Sequence, residues 1–265
     1  MINNFQTKNL SIAYDKKIIV DDLNISIPIG KVTALVGANG SGKSTILKTI
    51  ARLLEPQSGQ VLLDGEAIHT FSTKEIAKRL AILPQNPIAP DGLTVSELVA
   101  YGRYPHQKAF STNTKQDFEI IQWSMEATGL IEFQNRPVDE LSGGQRQRAW
   151  IALALAQKTN ILLLDEPTTF LDMGHQLEVL KLIQKLNREE QCTIVMVVHD
   201  LNHATRFADH IICIKEGKVV SKGNPHEVVT EEVMKDVFQI EATIWIEPKT
   251  GVPICIPMDV IGEEK

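Results

Sequence analysis

The sequence is poor in cysteine and aromatic residues and has no long apolar run. Only 3 of its 265 residues are cysteine and 5% are aromatic. Cys192, Cys213 and Cys255 are widely spaced and form no C-x-x-C pair, so we expect buried reduced thiols rather than a metal site or disulfide. No apolar run approaches the ~18 residues of a membrane span, and the N-terminus lacks the layout of a secretory signal. We therefore expect a cytoplasmic protein that another subunit must hold if it works at a membrane.

An excess of basic residues is also lacking. The formal net charge is −6, with 27 Lys and Arg against 33 Asp and Glu. Because a nucleic-acid backbone is usually met by a basic surface, nucleic acid is not expected as a partner. The phosphates of ATP are a different case, since a few backbone N–H groups and one lysine can hold them whatever the overall charge.

Strand and helix patterns alternate along the chain, which predicts an α/β fold. The apolar run Val32–Val36 leads directly into a glycine-rich loop, and a helix is predicted to begin near Gly42. Helical periodicity dominates between Gln85 and Leu141, and a further helix is expected over Thr230–Phe238. The other predicted strands are Leu23–Ile29, Gln60–Leu63, Leu80–Leu83, Ile161–Leu164, Thr193–Val198, His210–Ile214, Lys218–Ser221 and Ala242–Ile246.

The glycine-rich loop matches the phosphate-binding pattern G-x-x-x-x-G-K-[ST] at every fixed position. Its glycines permit backbone conformations that point successive N–H groups at the phosphates. Lys43 adds a positive charge and Ser44 offers a hydroxyl to Mg²⁺. The alternative is a chance match, which the position between a buried strand and an amphipathic helix disfavours. The loop comprises Gly37, Ala38, Asn39, Gly40, Ser41, Gly42, Lys43 and Ser44, with Thr45 following.

Two adjacent carboxylates end a second buried run, at Asp165 and Glu166. A buried carboxylate needs a strong partner, and Mg²⁺ is such a partner for Asp165. A helix N-cap is the alternative for Asp165, and a solvated surface residue is the alternative for Glu166. We expect Glu166 to be the general base that positions and polarises the attacking water.

Together with Leu141-Ser142-Gly143-Gly144-Gln145, these motifs resemble the ATP-binding cassette of ABC transporters, from about Leu10 to about Gly223. The resemblance implies an α/β P-loop NTPase core with a mainly parallel sheet, an antiparallel β subdomain and an inserted helical subdomain. It implies one cassette over residues 1–265, with the insert at about 86–157 and a C-terminal extension at about 224–265. Ser142, Gly143, Gly144 and Gln145, which could otherwise be only a loop before a helix starting near Arg146, would bind ATP held by a second copy in a head-to-tail homodimer.

Four further residues take roles only through this resemblance. Gln85 looks like the residue that senses Mg²⁺ and the attacking water, and His199 resembles the switch histidine that contacts the γ-phosphate. Tyr14 looks like the aromatic that stacks on adenine, and Asp172 matches a loop at the dimer interface. Taken alone, Tyr14 and His199 would more often be structural. Phe170 departs from the small residue common in the family's loop.

Three stretches, at residues 99–106, 147–152 and 171–176, resemble the ATPases of importers for ferric siderophores, haem and vitamin B12. Ferric hydroxamate importers look most similar. The implied partners are membrane permease subunits and, indirectly, an extracytoplasmic siderophore-binding protein, with the chain at the cytoplasmic face of the membrane. An exporter ATPase remains an alternative. A non-transport ABC ATPase is disfavoured, because the chain has neither a long coiled-coil insertion nor a second cassette.

Overall fold

The computed structural model describes residues 2–14, 17–107 and 113–262. The chain divides into two compact units, the first formed by Met1–Thr70 with Thr193–Lys265 and the second by Phe71–Cys192. Both units contain helices together with parallel strands, so the predicted α/β class is confirmed.

The strands are β1 (Phe5–Tyr14), β2 (Lys17–Leu23), β3 (Val32–Val36), β4 (Ser58–Leu63), β5 (Glu66–Ala67), β6 (Leu80–Leu83), β7 (Ile161–Asp165), β8 (Thr193–Val197), β9 (His210–Lys215), β10 (Lys218–Gly223), β11 (Ile240–Ile246) and β12 (Pro253–Val260). The α-helices are α1 (Lys43–Ile50), α2 (Thr73–Ile76), α3 (Val95–Ala100), α4 (Lys115–Ala127), α5 (Gly143–Ala156), α6 (Met173–Glu190), α7 (Leu201–Phe207), α8 (Pro225–Val228) and α9 (Glu231–Val233). Shorter 3₁₀ turns lie at Ile68–Thr70, Tyr101–His106, Ile131–Phe133 and Val138–Glu140, and a π-helical turn lies at Met234–Phe238.

The first unit is built around β3, which pairs in parallel with β8 on one side and β9 on the other. All five residues of β3 are buried, as expected for a central parallel strand covered on both faces. β10 returns antiparallel to β9 after a turn at Glu216 and Gly217, so the predicted strands His210–Ile214 and Lys218–Ser221 form a hairpin. β1, β2, β4 and β5 form a separate antiparallel sheet. The first unit therefore contains parallel core strands together with a separate antiparallel sheet.

The second unit contains the parallel pair β6 and β7 and a group of helices. Helices α3, α4 and α5 share one apolar core. Their buried residues recur at helical intervals, as the sequence predicts. The boundaries 86–157 for this helical insert stay a prediction, and residues 108–112 within it lie outside the described residues. The core residues are Val95, Leu98, Val99, Ile121, Met125, Leu130, Val138, Leu141, Ala149, Ala152 and Ala156.

A buried ion pair holds the helical part of the second unit together. The Arg103 Nε atom lies 2.7 Å from Asp117 Oδ1, and both side chains are less than a tenth exposed. Arg103 also donates to the carbonyl of Ala156 at 2.7 Å, while Asp117 accepts from the backbone and hydroxyl of Thr114. Burial tends to raise the pKa of Asp117, but the Thr114 and Arg103 hydrogen bonds outweigh it and lower that pKa to about 2. Arg103 thus ties the segment after α3 to both α4 and the end of α5.

The predicted strand over Leu23–Ile29 is wrong. The alternating burial that suggested it is real, since Leu23, Ile25 and Ile27 are buried, but β2 ends at Leu23. The Thr7 hydroxyl donates to the Leu23 carbonyl at 2.8 Å and accepts from the Ile25 N–H at 3.0 Å. One side chain therefore takes hydrogen bonds that a regular strand ladder would use.

The interpretation of the cysteines needs one correction. Cys213, inside β9, and Cys255, inside β12, are buried as expected, but Cys192, just before β8, is only partly buried. Burial raises the pKa of Cys213 to about 12, and burial together with nearby Glu190 raises that of Cys192 to about 12. Thiols with such pKa values stay protonated near neutral pH, which makes them poor nucleophiles and poor metal ligands.

Candidate functional site

The glycine-rich loop of the first unit depends on glycines in backbone conformations that other residues rarely adopt. Gly37 has φ 150°, and a Cβ atom placed there would lie 2.0 Å from the backbone oxygen of Ile214. Gly40 and Gly42 also have positive φ, and Ala38, Asn39 and Gly40 are exposed. The predicted loop therefore exists, and its exposed turn presents backbone to solvent at the place where phosphate is expected.

Lys43 lies against the loop that it is predicted to serve. Its Nζ atom donates to the backbone carbonyls of Gly37 and Ala38, both at 2.9 Å, and the residue is buried. Helix α1 begins at Lys43, and its N-cap, Gly42, supplies no side-chain oxygen to the first-turn N–H groups. No acidic residue lies in that first turn. An anion is the natural partner for a helix N-terminus of this kind, and Lys43 adds positive charge beside it.

His199 comes to the same edge of the first unit as the loop. β3 and β8 run parallel with Leu35 opposite Val197, so both strands end at the same edge. The loop follows β3, and His199 follows β8 after one residue that donates from its N–H to the Leu35 carbonyl at 3.2 Å. Tyr14 ends β1 with 45% of its surface exposed, so its ring is open enough to stack on a base. Both residues retain their predicted roles as proposals.

The second unit repeats this arrangement with different chemistry. β6 and β7 are parallel, with Leu83 opposite Leu164, so the residues that follow them lie at one edge. Gln85 Nε2 donates to Glu166 Oε2, across 81 residues of sequence. The Thr169 hydroxyl donates to the same oxygen at 3.0 Å. The structure therefore brings together Gln85 and Glu166, as a shared role in positioning a water molecule requires.

Glu166 is also held in an unusual backbone conformation. Its φ is 54°, in the left-handed region, and the residue is 9% exposed. A non-glycine residue in this region costs free energy and persists where its surroundings fix it, which happens often at active sites. Here the Gln85 and Thr169 side chains hold the carboxylate, and the Thr169 N–H donates to the Glu166 carbonyl at 3.2 Å. The alternative interpretation of Glu166 as a solvated surface residue is wrong.

Asp165 ends β7 and is 1% exposed. Its alternative interpretation, as a helix N-cap, is also wrong, because the next helix is α6 and the N-cap of α6 is Asp172. A carboxylate this deeply buried requires compensation by hydrogen bonds or a cation. Mg²⁺ coordination by Asp165 stays a prediction.

Ser142, Gly143, Gly144 and Gln145 form the N-terminus of α5. The helix begins at Gly143 with Ser142 as its N-cap, so the alternative of a loop before a helix starting near Arg146 is wrong. The Ser142 hydroxyl accepts from the Gln145 N–H at 3.3 Å, while Gln145 Oε1 accepts from the Ser142 N–H at 3.1 Å. A hydroxyl that accepts one bond still has a proton to donate, so capping and phosphate binding are compatible.

Asp172 connects with this helix through a residue that the sequence did not single out. The Asp172 carboxylate accepts from the His175 N–H at 2.9 Å and lies 2.7 Å from His175 Nδ1. The backbone and side-chain bonds from His175 hold the pKa of Asp172 below its usual value. The His175 ring lies so near Gly144 that a Cβ atom there would be 2.5 Å from His175 Cδ2. Gly144 is thus required for packing as well as for any phosphate contact.

The model of a protein family described as ABC transporter matches residues 20–169, more than half of the chain. The chain belongs to this family. The Iron(3+)-hydroxamate import ATP-binding protein FhuC of Bacillus subtilis is 55% identical over 100% of this chain and 98% of its own length. The Petrobactin import ATP-binding protein FpuD of Bacillus anthracis is 53% identical, over 95% of this chain and 92% of its own. The Ferric enterobactin transport ATP-binding protein FepC of Escherichia coli is 47% identical, over 95% and 93%.

Solved ABC structures share the fold over most of the chain. A putative metal-chelate type ABC transporter in an inward-facing conformation matches with a TM-score of 0.84 and 25% identity, covering 97% of this chain and 98% of its own. A bacterial ABC transporter cassette, solved as a dimer, matches with a TM-score of 0.73 and 30% identity over 83% and 98%. The predicted ABC-ATPase fold is therefore confirmed, and the chain is an ATP-hydrolysing subunit of an ABC transporter.

Two residues of the ABC site were missed in the sequence, Thr169 and His175. Each lies three positions after the carboxylate that it contacts, Glu166 or Asp172. That spacing is a usable signal only once the turn between β7 and α6 is known, because both contacts depend on its conformation.

No helix among the described residues is both long and apolar enough to cross a membrane.

Proposed function

We propose that this ABC ATPase powers the import of ferric siderophores of the hydroxamate class through a membrane permease. The observation that carries the cargo assignment is the 55% identity, over the full chain, to the hydroxamate import protein of Bacillus subtilis. The cargo does not touch the ATPase, so no contact in the site can identify it.

In the proposed reaction the first unit binds the nucleotide. The N–H groups of the exposed turn and of the first turn of α1 bind the phosphates, and Lys43 contributes its charge. Tyr14 stacks on adenine through its π face, and His199 contacts the γ-phosphate. The nucleotide-binding residues we assign to this unit are Tyr14, Gly37, Asn39, Gly40, Ser41, Gly42, Lys43, Ser44 and Thr45.

The second unit supplies the base. Glu166 accepts a proton from the water that attacks the γ-phosphorus, and Gln85 orients that water. Both predicted roles are supported by the bond between Gln85 and Glu166, because it places a donor beside the carboxylate. Thr169 holds the same carboxylate oxygen and so limits the orientations that Glu166 can adopt.

Mg²⁺ is proposed as the accompanying ion, with Ser44, Asp165 and Gln85 as its protein ligands. Hydroxyl, carboxylate and amide oxygens are the hard donors that Mg²⁺ prefers, so the residues present fit this ion. The described residues contain no cluster of three or more His, Cys, Asp or Glu side chains for a metal. Few protein ligands are expected when substrate phosphates complete the coordination. When bound, the ion neutralises charge on the phosphates.

The proposed assembly is a head-to-tail homodimer in which Ser142, Gly143, Gly144 and Gln145 bind ATP held by the other copy, with Asp172 at the interface. Its support is the exposed N-terminus of α5 and the dimer recorded for a similar cassette. Permease subunits are the membrane partners, which places the chain at the cytoplasmic face. An extracytoplasmic siderophore-binding protein is an indirect partner. ATP binding closes the dimer and reorients the permease, and hydrolysis resets it.

Ser142→Arg tests the shared site. We expect ATP binding by the monomer to be retained and ATP-dependent dimerisation to be lost, because the larger side chain occupies the phosphate position. Ser142→Ala is the control, since it removes the cap of α5 without adding bulk. Loss of monomer binding in Ser142→Arg but not in Ser142→Ala would contradict the assignment of Ser142 to the partner's nucleotide.

The cargo is tested by uptake of radio-iron in cells that lack this chain, with ferric hydroxamate, ferric catecholate or haem as the source. We expect loss of hydroxamate uptake only, restored by the wild-type chain and not by Glu166→Gln. Loss with catecholate as well would mean that several permeases share this ATPase, in line with its 47% identity to the enterobactin protein. Unchanged uptake from all three sources would remove the iron assignment.

A further inference from the structure

The C-terminal hairpin of the first unit, β11 and β12, is attached to a short helix beside His199. The two strands pair antiparallel, and β12 packs against α7. Cys255 and Pro253 of β12 are buried, while most of the other residues of this strand are exposed. The hairpin therefore has one face on α7.

The Asn202 side chain of α7 makes a polar contact with the hairpin. Asn202 Nδ2 donates to the Cys255 carbonyl at 3.1 Å, and the Cys255 N–H donates to Asn202 Oδ1 at 2.8 Å. One amide thus satisfies both backbone polar groups of a buried residue 53 positions away. Because buried backbone groups must find partners, this pair fixes where α7 meets the hairpin.

Asn202 also belongs to the turn that follows His199. The Asp200 carboxylate caps α7 by accepting from the N–H groups of Asn202 at 2.7 Å and His203 at 3.1 Å. The opposite end of α7 is tied to β3, where Asp209 and Val32 exchange two hydrogen bonds of 2.9 and 2.8 Å. The segment that follows α7 is therefore held by the core sheet, and the first turn of α7 is held by the hairpin.

Helix α7 has only seven residues, and a helix of this length is not stable without tertiary contacts. Only Asp200 separates that turn from His199 in the chain. A shift of the turn therefore acts on the backbone next to the histidine, whose usefulness depends on its position relative to the phosphate.

We propose that Asn202 is a positioning residue for ATP hydrolysis: by locking the first turn of α7 to the C-terminal hairpin, it fixes the position of His199. The inference rests on the proposed role of His199. It also gives the hairpin, which carries no recognisable motif, a part in the reaction. Arg206 of the same helix adds a weaker link. The pKa of Glu247 at the hairpin turn is lowered chiefly by the Thr250 hydroxyl and the Lys249 N–H, and slightly by the charge of Arg206.

The test is steady-state ATPase activity of the full chain carrying Asn202→Ala. We expect kcat to fall about tenfold with KM and ATP affinity unchanged, because a misplaced catalytic group slows the chemical step without weakening ground-state binding. Asn202→Asp keeps the acceptor for the Cys255 N–H and places a negative charge in the first turn, where it favours the helix. That variant should recover part of the lost kcat.

Asn224→Ala is the matched control, because Asn224 caps α8 in the same unit by accepting from the N–H groups of His226 and Glu227. It should lower thermal stability and leave kcat unchanged. Wild-type kcat in Asn202→Ala, or an equal loss in Asn224→Ala, would overturn the inference. If His199→Ala loses turnover while Asn202→Ala does not, only this inference fails. If His199→Ala keeps full turnover, the proposed role of His199 fails and this inference with it.

Discussion

The two units position their chemical groups in different ways. In the first unit the main chain forms most of the site: glycines with positive φ shape the loop, and Lys43 donates to two loop carbonyls. In the second, side chains hold side chains. Gln85 and Thr169 fix Glu166, and His175 contacts Asp172. The phosphate-binding loop of the first unit should therefore tolerate side-chain changes at its exposed positions but not a Cβ atom added at Gly37. Single side-chain changes around Glu166 in the second unit should instead lower ATP turnover.

The largest effect is expected from breaking the buried ion pair of the second unit. Arg103→Met leaves the Asp117 carboxylate buried without its cation and should lower the free energy of unfolding by about 3–5 kcal/mol. Chemical denaturation measures this change. The double variant Arg103→Met with Asp117→Leu should recover much of the loss, because it leaves no buried charge. A double variant as unstable as the single one would contradict this explanation.

The lowered pKa of Asp117 also makes the stability of the folded chain depend on pH. The pKa of Asp117 is lowered to about 2 from 3.8, so the stabilisation is complete above the unfolded value and is lost as the pH falls toward 2. Wild type should lose stability between about pH 4 and pH 2 more steeply than Asp117→Asn, as followed by thermal melting. Parallel curves over that range would show that Asp117 does not contribute.

Gly37→Ala tests the main-chain half of the comparison. The new Cβ would lie 2.0 Å from the Ile214 oxygen, and we expect a destabilisation of about 2–4 kcal/mol together with loss of ATP binding. Gly40→Ala is the control, because its φ of 77° is also positive but no atom lies within 4 Å of its added Cβ. It should cost only about 1–2 kcal/mol. Equal melting temperatures for the two variants would contradict the proposed clash.

The partners of Glu166 test the side-chain half. Gln85→Ala should lower kcat about tenfold or more, because it removes both the donor to Glu166 and the proposed contact with water. Thr169→Val keeps the shape of its side chain and removes only the hydroxyl, so its effect on kcat should be smaller. ATP affinity should change little in either variant. A larger effect from Thr169→Val would show that the hydroxyl, and not Gln85, is the main support of the carboxylate.

The smallest effect is expected at Phe170, which has φ 64° and is 87% exposed. A bulky residue is strained in this region, so Phe170→Gly should stabilise the chain by about 0.5–1 kcal/mol despite the entropy that glycine adds to the unfolded state. Phe170→Ala keeps the positive φ with a Cβ atom and should give no such gain. Destabilisation by Phe170→Gly would mean that the ring makes a contact worth more than the strain.

The sequence predicts best those features in which neighbouring residues form one unit. Val32–Val36, the glycine loop and α1 are continuous in the chain, and the predicted strand and helix start agree with β3 and Lys43. The contact between Gln85 and Glu166 depends in addition on the parallel pairing of β6 and β7, which the sequence pattern alone does not specify.

Contacts that depend on turn conformation or on distant pairing could not be predicted. Thr169 contacts Glu166 only because of the turn in which Glu166 has a positive φ. Asn202 contacts Cys255 across 53 residues of sequence, and no motif marks either residue. The Leu23–Ile29 prediction failed for a related reason, since alternation records which side chains are buried and not which atoms satisfy the backbone. β1 was missed because a polar run interrupts its apolar pattern, and β12 was missed because it contains two prolines, which argue against a strand.

The most direct test of the account is ATP affinity and turnover measured on the same preparation of Glu166→Gln. The amide keeps the shape and the Thr169 contact but cannot accept the proton, so ATP should bind with wild-type affinity while turnover falls by about 10²–10⁴-fold. Glu178→Gln, an exposed position on α6, is the control and should behave as wild type. Turnover near the wild-type rate in Glu166→Gln would contradict its role as the general base.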